Sequence, residues 1–164
     1  MWFDEFSSPI GKLVVAADEA GIRHILFDEN RYDVPGRDDW RRDASPVSVA
    51  REQLFAYFAG ERHEFDLPLH PVGTPFQLSV WNMLAQIPFG ETGSYRDVAK
   101  RIALPAAVRA VGAANGRNPL PIVLPCHRVI GADGRLVGFG GGLPIKQFLL
   151  ELEGALPRQQ ALLV

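Results

Sequence analysis

Three prolines fall within seven residues at Pro119-Leu120-Pro121-Ile122-Val123-Leu124-Pro125, and the single cysteine of the chain, Cys126, follows at once. Proline has no amide hydrogen and its ring clashes with the preceding helical turn, so this stretch cannot be a helix. Each proline also pushes the residue before it toward extended backbone. The segment is read as extended, set inside a C-terminal half that is otherwise mostly helical. A proline directly ahead of Cys126 fixes the backbone where a reactive side chain would need it fixed.

The lone cysteine excludes an internal disulfide and a thiolate zinc site. At 164 residues, the length prior is one domain or two small ones. With 47% hydrophobic and 22% charged residues, the chain has enough apolar content for a sizeable core, which excludes disorder along its whole length. No apolar run is long enough to span a bilayer, so no membrane contact is expected. The start, Met1-Trp2-Phe3-Asp4-Glu5, lacks the basic flank and apolar stretch of a signal peptide. Together with the absence of disulfides, this gives a cytoplasmic location as the expectation. The net charge of −2 hides a split. Residues 1–73 hold 8 Lys+Arg against 14 Asp+Glu, whereas residues 74–164 hold 9 against 5. An acidic half followed by a basic half suggests two units, the second facing a polyanion.

The first unit reads as a small antiparallel sheet. Strand-like runs at Trp2–Phe6, Lys12–Ala17 and Ile22–Phe27 are separated by turns at Ser7–Gly11 and Asp18–Gly21. Residues 28–45 read as a charged loop. Ser45-Pro46 reads as an N-cap followed by proline at the first helical position, with an apolar stripe at Val47, Ala50, Leu54, Tyr57 and Phe58 behind it. Gly60 is placed to end that helix. Glu64–Leu69 is read as one more strand. Pro68, Pro71, Gly73 and Pro75 mark the boundary.

In the second unit, Thr74-Pro75-Phe76-Gln77 has the form of a capping box, and Phe76, Val80, Trp81, Leu84 and Ile87 form one face. Ser94-Tyr95-Arg96-Asp97 begins a second helix, and residues 106–114 a third, which together resemble a helix-turn-helix pair. Val129-Ile130 and Leu136-Val137, flanking Ala132–Arg135, read as a hairpin. A last helix carries Leu143, Ile145, Phe148, Leu149 and Leu152 at helical spacing.

Cys126 is the candidate nucleophile. A lone cysteine is often only a buried apolar side chain. Here His127 and Arg128 follow directly, and protonatable or positive neighbours favour the thiolate, which is the reactive form. In an extended segment His127 would point away from Cys126, so contact between them requires a turn or a bridging water. A general base also needs an orienting group. The acids downstream are Asp133, Glu151 and Glu153, and spacing does not choose among them. Arg109 lies on the second helix of the pair among Ala106, Ala107, Ala110, Gly112, Ala113 and Ala114. Those small side chains suit either a groove or tight helix packing. The run Gly140-Gly141-Gly142 lacks the ending of a phosphate-binding loop and is read as a turn into the last helix.

Taken together, Pro125-Cys126-His127-Arg128-Val129 with the hydrophobe Ile130 resembles the active-site signature of the O6-alkylguanine-DNA alkyltransferases, the methylated-DNA–protein-cysteine methyltransferases. Ser94-Tyr95, Arg109-Ala110-Val111-Gly112, Asn118-Pro119, Gly141-Gly142-Leu143 with Lys146, Leu149-Leu150 and Glu153-Gly154 extend the match over about residues 74–154. The N-terminal part is similar more loosely, through Ser8-Pro9-Ile10-Gly11 and the tract Ala56-Tyr57-Phe58.

The resemblance implies an α/β two-domain fold. Residues 1–70 would form a ribonuclease-H-like antiparallel sheet plus helix, and residues 74–157 a winged helix-turn-helix-like domain for DNA binding and alkyl transfer. It implies irreversible transfer of the alkyl group of O6-alkylguanine, and of O4-alkylthymine more weakly, onto Cys126, once per molecule, after the damaged base is flipped out. No metal or cofactor is implied. His127 would deprotonate Cys126 through a bound water, with Glu153 orienting the imidazole. Asn118 would brace the turn around Cys126, and Tyr95 would donate a proton to the departing guanine. Arg109 would fill the space left by the flipped base, with Ser94, Arg96, Ala110, Gly112 and Arg128 also at the DNA. Phe139, Gly140, Pro121 and Val129 would line the base pocket. The family usually has tyrosine at the position of Phe139. The expected partner is alkylated double-stranded DNA, bound by a monomer, with cooperative assembly along DNA as an option. Two rival readings are a lesion-binding protein without chemistry and a cysteine hydrolase built on Cys126 and His127.

Overall fold

The computed structural model describes residues 1–30 and 32–156. Strands β1 (Trp2–Ser8) and β2 (Gly11–Ala17) pair antiparallel, and β2 pairs antiparallel with β3 (Ile22–Phe27). The first turn is closed by the Ser8 hydroxyl, which donates to Gly11 O at 2.6 Å. Gly11 has φ +99°, a conformation few side chains tolerate. A two-residue strand, β4 (Arg41–Arg42), runs parallel to the start of β1, giving the sheet order β3-β2-β1-β4. Five consecutive residues of β2, Leu13 to Ala17, are buried, so both faces of this strand are covered. Leu13, Val15 and Ala17 face the main core. The other face meets Trp40, whose ring packs near Phe3 and stacks on His24. Residues 32–45 are therefore more than the charged loop expected: they include β4 and set Trp40 as an aromatic plug over the sheet.

Helix α1 (Ser48–Phe58) buries Ala50, Leu54 and Tyr57, as its stripe predicts. It ends at Gly60 (φ +77°), where Gly60 N donates to Tyr57 O and Glu61 N to Ala56 O, the paired bonds of a Schellman cap. Its start differs from expectation. Ser45–Val47 form a 3-10 turn before the helix, and Ser45 does not cap with its side chain. Instead the Asp43 carboxylate accepts the Ser45 amide at 3.0 Å. The expected strand at Glu64–Leu69 is reduced to one bridge, Leu69 to Ile22. The side-chain amide of Gln53 takes both backbone groups of Asp66, accepting its N–H at 2.9 Å and donating to its carbonyl at 3.0 Å, which removes them from any ladder.

The remaining helices are α2 (Pro75–Leu84), α3 (Tyr95–Arg101), α4 (Val108–Gly116) and α5 (Leu143–Leu152). Thr74 with Gln77, and Ser94 with Asp97, form complete capping boxes. Helices α2, α3 and α4 pack on one another, and the Trp81 indole donates to Ala114 O at 2.8 Å. A short strand β5 (Gly93–Ser94) pairs parallel with β6 (Val129–Ile130). The expected hairpin is therefore absent. A turn does form, with Gly131 N on Arg135 O at 2.8 Å, but Val129 pairs backward with β5 while residues 136–139 carry no ladder.

The proline-rich segment also departs from expectation. It turns instead of running extended. Leu124 N donates to Leu120 O at 2.8 Å, and Ile122 has φ +75°, a strained conformation for a β-branched residue. Pro125 (φ −77°, ψ 69°) then makes an inverse γ-turn, with Cys126 N donating to Leu124 O at 2.7 Å. The buried stripe of α5 is likewise rotated from the one predicted. Lys146, Leu149 and Leu150, followed by Glu153, are buried, whereas Leu143 and Phe148 are exposed. Two charged residues lie on that stripe because each finds partners inside. The two halves meet directly, with Ile25 N of β3 donating to Pro119 O at 2.9 Å. Among the described residues no helix is long and apolar enough to cross a membrane. The expected end of the second domain, residue 157, lies outside the described residues.

Candidate active site

Cys126, His127 and Arg128 form one turn of 3-10 helix between the γ-turn at Pro125 and β6, and all three side chains are buried. This tight turn supplies what an extended segment would not. Successive side chains no longer alternate across a strand, so Cys126 and His127 diverge by less than opposite faces. Asn118 holds the turn from below. Its Nδ2 donates to Leu124 O at 2.6 Å and its Oδ1 accepts from Leu120 N at 2.9 Å.

Behind Cys126 the polar groups converge on Glu153, the residue capping the end of α5. His127 Nε2 lies 2.7 Å from Oε2, and neither side chain is exposed. Arg128 donates from Nε to Oε1 at 2.8 Å and from Nη2 to Oε2 at 3.0 Å, and its Nη1 donates to Ile87 O at 2.6 Å. The Tyr57 hydroxyl of α1 donates to Oε2 at 2.6 Å. Of the downstream acids, it is Glu153 whose carboxylate lies within hydrogen-bond distance of His127. Among the described residues, His127 Nδ1 has no hydrogen-bond partner.

The electrostatics follow from burial. Burial pushes the Cys126 thiol up to about 11, against the Asn118 hydrogen bond and the Lys146 charge that favour the thiolate. This reverses the expectation that its neighbours lower the thiol pKa. Arg128 is neutralised by Glu153, and burial holds His127 below its usual range, against the pull of the Glu153 carboxylate. Burial would raise Glu153, yet hydrogen bonds from His127 and Arg128 outweigh it and hold the carboxyl at about 2. The resting site is therefore a thiol beside a neutral imidazole, backed by a fixed carboxylate.

Cys126 lies on the wall of a cavity of about 290 Å³ between the two halves, together with Asn118, Pro121, Phe139 and Gly140. Three of the four expected pocket residues are thus brought together. Val129 is not on that wall. It is fully buried, with its carbonyl held by Lys146 Nζ at 2.5 Å. Phe139 packs on Phe27 of β3 at 5.5 Å between ring centroids. A Cβ on Gly141 would fall 3.0 Å from Phe27 and 3.1 Å from Phe139, so these rings would have to shift by a few tenths of an ångström to admit one. Tyr95 starts α3 near the site, but its hydroxyl donates to Val137 O at 2.9 Å, and its ring lies against Gly112 of α4. Its hydroxyl pKa is raised, first by burial and then by the neighbouring Cys126.

Arg96, Arg109 and Ala110 are exposed and Ser94 is half-buried, so these four remain available to an outside partner. Arg128 does not. Expected at the DNA, it is instead buried, with each of Nε, Nη1 and Nη2 donating to a partner inside, which corrects that assignment. Sequence reasoning also passed over Lys146 and Tyr57. Lys146 is fully buried and donates to the carbonyls of Val129, Val137 and Gly138. A visible signal was the spacing of Lys146, Leu149, Leu150 and Glu153 at i, i+3, i+4 and i+7, which puts two charges on one helix face. Tyr57 falls in the Ala56-Tyr57-Phe58 tract and fits the apolar stripe of α1, and neither feature points to a bond with Glu153.

Comparison with known proteins agrees across the chain. Residues 3–71 match the family model for the ribonuclease-like domain of 6-O-methylguanine DNA methyltransferase, and residues 75–155 match that for its DNA-binding domain. A methylated-DNA–protein-cysteine methyltransferase of Methanosarcina acetivorans is 50% identical over 155 residues, covering 94% of this chain and 99% of the relative. One of Mycobacterium bovis is 51% identical over 146 residues, covering 89% and 88%. The crystal structure of Mycobacterium tuberculosis OGT in complex with DNA superposes with a TM-score of 0.89 at 46% identity, covering 94% of each chain. Both family domains are matched in order along the chain, and the chain belongs to the 6-O-methylguanine DNA methyltransferase family, the methylated-DNA–protein-cysteine methyltransferases.

Proposed function

We propose that this protein repairs DNA by taking the alkyl group of O6-alkylguanine onto Cys126, once per molecule, after the damaged nucleotide is flipped out of the duplex. The observation that carries the reading is the placement of Cys126. Its thiol lies on the wall of a cavity between the halves, with the buried His127–Glu153 pair behind it. The thiol proton leaves through the unpaired Nδ1 of His127, by way of a water, and Glu153 stabilises the imidazolium that results. A carbon–sulfur bond forms as the carbon–O6 bond breaks, and the electron pair goes to guanine. Tyr95 supplies a proton to the leaving base after exchanging its present bond to Val137. The thioether has no route back to thiol, because no step in this sequence delivers water to carbon.

The O6 atom lies inside the base stack, so access requires extrusion at a cost of a few kcal/mol. In this reading Arg109, exposed on α4, fills the gap, and Ser94, Arg96, Ala110 and Gly112 meet the DNA; the exposure of Arg109, Arg96 and Ala110 supports it. A relative solved in complex with DNA supports DNA as the partner, and its being double-stranded belongs to the proposed reading. The monomeric state and the weaker use of O4-alkylthymine belong to the same reading. A cytoplasmic setting suits a nucleophile that must stay reduced.

The test is intact-mass measurement after incubation with duplex DNA containing O6-methylguanine. The expected result is a gain of one methyl group, never more, and none in Cys126→Ser. Label on Cys126→Ser would remove Cys126 as acceptor. Unchanged mass with tight binding would favour a lesion-binding protein, and multiple turnovers on an ester would favour a hydrolase.

A further inference from the structure

One oxygen of Glu153 takes a bond from each half of the molecule. Its Oε2 lies 2.7 Å from His127 Nε2 and 2.6 Å from the Tyr57 hydroxyl, and Arg128 Nη2 donates to the same atom at 3.0 Å. Tyr57 belongs to α1, 96 residues earlier in sequence. It is 1% exposed, and its hydroxyl has a pKa raised first by burial and then by the Glu153 charge, so it is a neutral donor at any working pH. A buried hydroxyl could serve packing alone, but this one shares its acceptor atom with the imidazole.

We infer that Tyr57 is a positioning residue through which the N-terminal domain sets the basicity of His127. The inference rests on the role given above to Cys126, His127 and Glu153. A carboxylate oxygen shared among three donors draws less on each than one shared between two. The Tyr57 bond therefore restrains the hold of Glu153 on the imidazole proton and fixes the carboxylate plane. With that bond, His127 stays neutral in the resting protein and ready to accept the thiol proton. The remaining titratable or charged groups around His127 are Lys146 of α5, and Cys126 and Arg128 of its own turn, and Tyr57→Phe leaves all of them in place.

The experiment follows the side-chain nitrogen resonances of His127 by NMR as pH is varied, in the full-length protein and in Tyr57→Phe, with no DNA present. A His127→Asn sample identifies the signals. The phenyl ring preserves the packing, and the expected result is a His127 titration moved up by about half a pH unit or more. Site-specific 3-fluorotyrosine at position 57, a stronger donor of the same shape, is expected to move it down. Parallel rates of methyl transfer against pH should show the acid limb moving in the same directions. Titrations that superpose in all three proteins would overturn the inference, as would a uniform fall in rate with an unmoved limb. Failure of all three to gain a methyl group would instead count against the proposed reaction, and the NMR titration would still decide the role of Tyr57.

Discussion

Arg128 and Glu153 meet as a planar fork inside the protein, Nε on Oε1 at 2.8 Å and Nη2 on Oε2 at 3.0 Å, with the carboxylate fully buried. This pair joins the turn that carries Cys126 to the end of α5. It also explains why an arginine next to the thiol leaves it protonated. The guanidinium charge is directed at Glu153, away from the sulfur, and burial then dominates the thiol. The positive neighbour visible in sequence is a structural clamp.

Breaking this fork should be costly. In Arg128→Met the carboxylate stays buried with only His127 and Tyr57 as strong donors, and losing one partner of a buried pair costs about 3–5 kcal/mol. Arg128→Lys should recover little, because an ammonium cannot reach both oxygens in one plane. Urea unfolding of the three proteins checks this. A lysine variant within about 1 kcal/mol of the parent would show that charge, and not the bidentate geometry, is what matters.

Much of this was legible in the sequence, and the misses share a cause. The capping boxes at Thr74 and Ser94, the Gly60 terminator and the strands β1–β3 depend on residues a few positions apart, so local chemistry determines them. The hairpin after Val129 failed because its carbonyls are taken by Lys146, 17 residues away from Val129, and the strand at 64–69 failed because Gln53 intercepts Asp66. Those competitors are side chains from other elements, which no local pattern contains. The site divides in the same way. Cys126, His127 and Asn118 lie in one continuous motif, whereas Tyr57 joins them across 96 residues through a single bond to Glu153.

The Glu153 carboxyl makes stability depend on acid. Burial alone would raise it, but hydrogen bonds from His127 and Arg128 bring it from 4.5 to about 2 in the folded protein. A depressed folded pKa gives stability that is fully present above about 4.5 and is lost as pH falls toward about 2. Denaturant unfolding at pH values from about 6 to about 3 should therefore show stability falling with acid. In Glu153→Gln that slope should flatten, with lower stability at neutral pH. Parallel slopes for the two proteins would place the acid sensitivity elsewhere.

Lys146 should matter for the pocket more than its helical position suggests. Its ammonium bonds Val129 O at 2.5 Å, Val137 O at 3.0 Å and Gly138 O at 3.4 Å, tying α5 to the strand after Cys126 and to the segment that carries Phe139. Burial lowers its pKa from 10.5 to about 8. Lys146→Met fills the volume but removes this donor from all three carbonyls, leaving Val137 O with its bond from Tyr95, for a loss of about 2–4 kcal/mol. Hydrogen exchange should quicken at residues 136–140 before it changes in β1–β3. Since the folded pKa is depressed, the charged amine costs stability below about 8, and stability should rise with pH between about 8 and 10.5 in the parent protein but not in the variant.

Arg109 tests the step that precedes chemistry. It is exposed on α4 and does not line the cavity that holds Cys126, so under the proposed base extrusion its loss should leave the thiol's surroundings unchanged. The small side chains of Ala110 and Ala113 beside it leave the helix surface low enough to approach a groove. If an inserted arginine offsets part of the unstacking cost of a few kcal/mol, its loss should slow reaction wherever a base must be extruded. Arg109→Ala is expected to lower the rate of methyl transfer from duplex DNA by about 10-fold or more, equivalent to at least about 1.4 kcal/mol. Transfer from free O6-methylguanine base should change far less, and thermal stability should be unaffected. Equal losses on duplex and free base would mean that Arg109 acts on the reactive site itself, and would remove it from base extrusion.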